Sequence, residues 1–155
     1  MDKADFLVAK EYMTKDIERE IQLARTKKRS LKTLGINPGG GNFLAALGLL
    51  CYTEFGGWLL RGKPTPQRNF DAFFDRLGKP YADLRQKHKK VYNTFRCGLA
   101  HEYFVKRSCT IHMKGKRGQP GIWQERDGHY RFSVSRYWRD LKAAFDVLQE
   151  ELYGS

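Results

Sequence analysis

The spacing of apolar side chains divides the chain into a long helical part and a short alternating part. Phe6, Ala9, Met13, Ile17, Ile21 and Ala24 recur at intervals of three and four, which predicts an amphipathic helix over 3–29. Residues 42–60 are apolar around nearly the whole circumference, the pattern of a central bundle helix, with Asn42 as its N-cap. Ala45, Ala46, Gly48, Gly56 and Gly57 would let another helix approach it closely, from this chain or from a partner. Asn69 is expected to cap a short helix that turns Phe70, Phe73, Phe74 and Leu77 inward and stops at Gly78. A further helix is predicted from Tyr81 to about Gly98, with Leu84, Val91, Phe95 and Leu99 as its core stripe. Beyond residue 107 the period changes to alternation, giving three short strands at 109–113, 121–125 and 129–134, with Asp127-Gly128 as a tight hairpin turn. Ser135 then caps a last helix carrying Trp138, Leu141, Phe145, Leu148 and Leu152. The expected fold is mostly α. It is a single domain, 1–155, made of a helical bundle over 1–107, a small antiparallel hairpin or three-stranded appendage over 108–134, and a C-terminal helix over 135–153 packing on the bundle.

Charge changes the picture next. The 155-residue chain carries a formal net charge of +12, which favours a polyanionic partner, nucleic acid first and a membrane surface second. The cations are densest over 79–107, where Arg85, Lys87, Lys89 and Lys90 load the exposed faces of the fourth helix and Lys106 and Arg107 follow it, and these are the expected RNA-backbone contacts. Three cysteines at unpaired spacing read as reduced thiols of a cytoplasmic protein. The N-terminus lacks a basic start followed by an apolar run, so no secretory signal is expected. Residues 43–60 are apolar enough to raise a membrane span, but Glu54 and the glycines argue for a buried protein helix and no membrane partner. That lone carboxylate must be paired, solvated or functional, because burying it alone is expensive. Arg96 is the basic neighbour proposed for it.

Candidate chemistry centres on Arg96 and His101. The guanidinium is a permanent cation whose donors fit a phosphate. The imidazole is the side chain most easily poised to move a proton near neutral pH. Five residues on a straight helix turn through roughly 140°. The two groups therefore converge only if the helix bends or ends near Gly98, or if a second copy of the chain completes the site. Other chemistries find no pattern: there is no CxxC, HxxxH or HExxH for zinc, no P-loop lysine beside Gly39-Gly40-Gly41, and no opposed carboxylate pair for a glycosidase.

Arg96-Cys97-Gly98-Leu99-Ala100-His101 resembles the R-x4–6-H motif of the HEPN superfamily. The resemblance implies a small helical bundle that dimerises and, in active members, a metal-independent ribonuclease with arginine and histidine at the dimer cleft. It implies Arg96 and His101 as catalytic residues, with no cofactor and no metal; Glu54 as the carboxylate that orients one of them, Asn93 one turn before Arg96 and Glu102 beside His101 are read from their positions as supporting residues. It also implies RNA as substrate and a role as toxin or defence effector. Cys97 stands where the family often places asparagine, aspartate or histidine. Two other readings stay open: a non-catalytic RNA-binding module, and a protein-interaction subunit paired with an antitoxin or effector partner.

Overall fold

The computed structural model describes residues 1–102, 109–115 and 117–154. The chain is mostly helical, with a three-stranded sheet placed before the last helix. Helix α1 (Lys3–Arg25) starts where the Asp2 carboxylate accepts from Asp5 N at 2.8 Å, and it buries Phe6, Met13, Ile17 and Ile21. It ends four residues short of the expected boundary. Thr26 turns extended and bonds its hydroxyl back to Gln22 O at 2.9 Å, so the chain can redirect into α2 (Lys28–Thr33) and bury Leu31.

Helix α3 (Asn42–Arg61) is the hub. Among the described residues it is the helix long and apolar enough to cross a membrane, and seven of its residues are buried in the protein core. Its N-cap is Gly41 rather than the expected Asn42. The Asn42 amide is used elsewhere, donating to Ile111 O at 3.1 Å. Helix α4 (Pro66–Arg76) likewise begins before Asn69, after Thr65, with proline in its first turn. Asn69 is buried and donates to Lys63 O at 2.8 Å. Gly57 lies directly against the Asn69 backbone, and Gly56 against the Phe73 ring. The small residues of α3 therefore admit α4 of the same chain.

The single helix expected over 81–98 is broken. Helix α5 (Lys79–Lys87) ends where His88 leaves helical geometry (φ −126, ψ 80), and the His88 ring packs edge-on against Tyr130. The chain re-enters as a π-helical turn, Tyr92–Cys97, and continues into α6 (Gly98–Glu102). The stripe explains the wide turn. Val91, Phe95 and Leu99 are spaced by four, and each such step drifts about 40° on a helix of 3.6 residues per turn. A turn closed by i to i+5 bonds absorbs that drift, and all three side chains are buried.

Strand order is β1 (Cys109–His112), β3 (Tyr130–Ser133), β2 (Ile122–Gln124). β2 and β3 form the expected antiparallel hairpin, turned at Gly128 with φ 85. β1 departs from the antiparallel expectation. With β2 on one edge of β3, β1 takes the other edge and runs parallel, pairing Cys109 with Tyr130 and Ile111 with Phe132. Helix α7 (Val134–Tyr153) is capped by Ser133, whose Oγ accepts from Arg136 N, not by Ser135. It buries Trp138, Leu141, Ala144, Phe145 and Leu148, while Leu152 is exposed. The sheet is no loose appendage, because its inner face continues the bundle core. Phe132 stacks on Tyr137, Phe95 meets Tyr130 edge-on, and the Tyr81 hydroxyl accepts from Gly121 N at 2.7 Å while donating to Asp140.

Candidate active site

Two elements supply the polar cluster. Cys51 and Glu54 are one turn apart on α3, and Tyr92 and Arg96 lie four apart on the π-helical turn that packs against it. Arg96 Nε donates to Glu54 Oε2 at 2.9 Å, with side-chain exposures of 22% and 21%. A pair at that depth is shielded from water but not sealed from it. The bond takes the Nε edge of the fork. Among the described residues no hydrogen bond engages the two terminal nitrogens of Arg96. Tyr92 Oη lies at 3.5 Å from the same carboxylate oxygen. Burial, then the charge of Glu54, pushes the Tyr92 hydroxyl up to about 12, so it remains a neutral donor. Burial also pushes the Cys51 thiol up, against the opposing pull of Arg96, so it stays protonated.

His101 is exposed on α6 and, among the described residues, has no hydrogen-bond partner. Of the two routes to convergence, a bend at Gly98 is absent: Gly98 has helical φ −58 and ψ −49, and the irregular turn lies before it. Arg96 is turned onto α3 while His101 faces solvent, as the helical phase between them requires. The structure thus joins Glu54 with Arg96 and leaves His101 outside that cluster. Asn93 and Glu102 are exposed.

The cations expected along an RNA path divide into three groups. Arg85 is committed to Asp75 by a two-pronged pair, with Nε to Oδ1 at 2.6 Å and Nη2 to Oδ2. Lys87, Lys89 and Lys90 are exposed at the end of α5 and in the turn after it. Lys106 and Arg107 lie outside the described residues. Among the described residues no three of His, Cys, Asp and Glu gather as a metal site needs.

Sequence reasoning anticipated the Glu54–Arg96 pair but missed Cys51 and Tyr92. The signal for both was spacing. Cys51 stands three before Glu54 and Tyr92 four before Arg96, so each shares a helix face with its neighbour. No family model, no curated protein and no solved structure matches this chain.

Proposed function

We propose that the chain is a metal-independent endoribonuclease of the HEPN type whose cleft is completed by a second copy. The observation that carries this reading is an exposed imidazole five residues from an arginine, where among the described residues neither the imidazole nor the guanidinium's outer nitrogens have a partner. On one helix the two groups diverge, so a two-fold pairing of chains is the arrangement that brings both to one phosphate.

In such a cleft one His101 imidazole takes the proton from an RNA 2′-hydroxyl as its oxygen attacks the adjacent phosphorus. The bond to the 5′ oxygen breaks, and the imidazolium formed in the first step returns its proton to that leaving oxygen. The products are a 2′,3′-cyclic phosphate and a free 5′-hydroxyl. Arg96 holds the non-bridging oxygens through its terminal nitrogens and stabilises the charge that grows on them. Glu54 aims the guanidinium from behind. The exposed Lys87, Lys89 and Lys90 add phosphate contacts.

The test is incubation of the purified protein with mixed RNAs in chelator. RNA is cleaved, DNA is not, and Arg96→Ala and His101→Ala are each inactive. Mixing the two single variants restores part of the activity if residues of both chains share the cleft. Full cleavage by folded His101→Ala refutes the mechanism. A second reading is favoured by the depth of the Arg96–Glu54 pair: the arginine is structural and the chain binds RNA without cutting it. Salt-sensitive binding that leaves RNA intact selects that reading.

A further inference from the structure

The outer face of the sheet carries a second concentration of nucleic-acid chemistry. Alternation and register put Trp123, Arg131 and Thr110 in one row across the three strands, with His112 two residues along from Thr110. The inner row is Ile111, Ile122 and Phe132, buried against the bundle. Phe95 of the π-helical turn packs on the inner side, so this outer face is separate from the Arg96 cluster. A cavity of about 370 Å³ opens there, lined by His112, Trp123, Glu125 and Arg131 among others. Arg131 is paired with Glu125 at 3.1 Å. Trp123 is half-buried, and among the described residues its indole has no ring partner and no hydrogen bond. Trp58, by contrast, stacks on Phe55, and Trp138 donates to Glu18.

Lys114 and Gly115 also line a second cavity, of about 340 Å³, together with Arg25, Ser135, Arg136 and Arg139. Among the described residues no carboxylate lines it. Arg139 is held by the neighbouring Asp140 at 2.6 Å. Among the described residues Arg25, Lys114 and Arg136 have no acidic partner, whereas Arg76, Arg85, Arg96 and Arg131 each have one. Gly115 lies between Ser133 and Arg136 so closely that a Cβ would come within 2.9 Å of Ser133 Cβ. Glycine is therefore required at the stretch of lining the two cavities share. Cations that face one another without a counter-charge repel, and a polyanion relieves that repulsion.

We propose that the two cavities form one groove for a single strand of RNA. A base stacks on Trp123 and the flanking phosphates lie among Arg25, Lys114 and Arg136. Choosing RNA over DNA rests on the ribonuclease reading; the groove itself does not.

The test uses a short, fluorescently labelled 2′-O-methyl oligonucleotide, which cannot be cleaved by 2′-hydroxyl attack. Binding is therefore read whether or not the chain is a nuclease. Anisotropy titrations at matched salt are expected to show Trp123→Ala weakened about tenfold and Trp123→Phe by less than about threefold, since a phenyl ring still stacks. The double variant Lys114→Gln/Arg136→Gln is expected to lower the slope of log affinity against log salt by about 1.4, the value for two lost single-strand phosphate contacts. Circular dichroism and thermal midpoints confirm that each variant is folded. The proposal is overturned if the wild type does not bind, or if folded Trp123→Ala binds like the wild type. An unchanged salt slope in the double variant overturns it as well, as does equal affinity for a duplex, whose stacked bases cannot reach an indole.

Discussion

The same substitution at two positions of one helix is expected to have opposite signs. Gly57 and Gly48 are both on α3. A Cβ built on Gly57 falls 2.8 Å from Asn69 Cα and closer still to the carbonyl of that residue. Two carbons rest comfortably at about 3.5 Å, so α4 must move back by at least about 0.7 Å. Backbone cannot swing aside as a side chain can, and the shift would loosen Phe70, Phe73 and Phe74 from the core. Overpacking of this kind costs ~1–3 kcal/mol, with the upper end fitting a backbone clash. Alanine's better helix propensity offsets about 1 kcal/mol. At Gly48 the nearest atoms, Ile17 Cδ1 at 3.6 Å and Tyr52 Cε2 at 3.8 Å, are at ordinary contact. There alanine fits without displacement and is expected to stabilise by ~0.5–1 kcal/mol. Thermal unfolding followed by circular dichroism resolves the pair, since 1 kcal/mol moves the midpoint of a domain this size by about 2–4 °C. A midpoint for Gly57→Ala at or above that of Gly48→Ala refutes the packing argument.

Three further outcomes are expected. A double-mutant cycle on Arg96→Ala and Glu54→Ala should give a coupling of ~1–2 kcal/mol, between the values for exposed and buried pairs, and a coupling near zero in urea titrations would remove Glu54 as the group that aims Arg96. His101→Ala should change stability by less than ~0.5 kcal/mol, because the side chain is exposed, while abolishing RNA cleavage; a large stability loss would make the histidine structural. Glu18 accepts from Lys142 Nζ at 2.7 Å and from Trp138 Nε1 at 3.2 Å, and these bonds hold its carboxyl below the usual range. The unfolded chain then binds more protons, so the contribution is complete above about pH 4.3 and is lost as pH falls through the folded value. Glu18→Gln should therefore flatten the acid limb of stability, read as urea midpoints from neutral to acid pH, and an unchanged limb contradicts the assignment.

The large helices were legible because burial writes a period into the sequence. Met13, Ile17 and Ile21, and later Trp138, Leu141 and Phe145, mark faces that only a helix puts together. The caps were less legible. Asn42 and Asn69 have the chemistry of caps, but the fold uses their amides on Ile111 O and Lys63 O, and a residue type does not state which of two good hydrogen bonds it will make. The parallel placement of β1 depends on which edge of β3 is left open, a long-range matter absent from local alternation. The partner of Glu54 could be inferred because a single charge on an apolar helix needs one. The divergence of Arg96 and His101 could be read from their spacing, but the π-helical turn before Gly98 could not, since it has no composition of its own.

That wide turn bears on how kin of this chain could be found. It holds one residue more than the α turn it replaces. A homologue lacking the extra residue, most simply one without the exposed Asn93, would close an ordinary α turn there, because the wide turn takes up the additional residue locally. It would preserve the same core, with Leu99 still buried and its histidine on the same face. Searches that forbid gaps between residues 92 and 97 would pass over such sequences, and a one-residue deletion there is the length change to look for in any alignment.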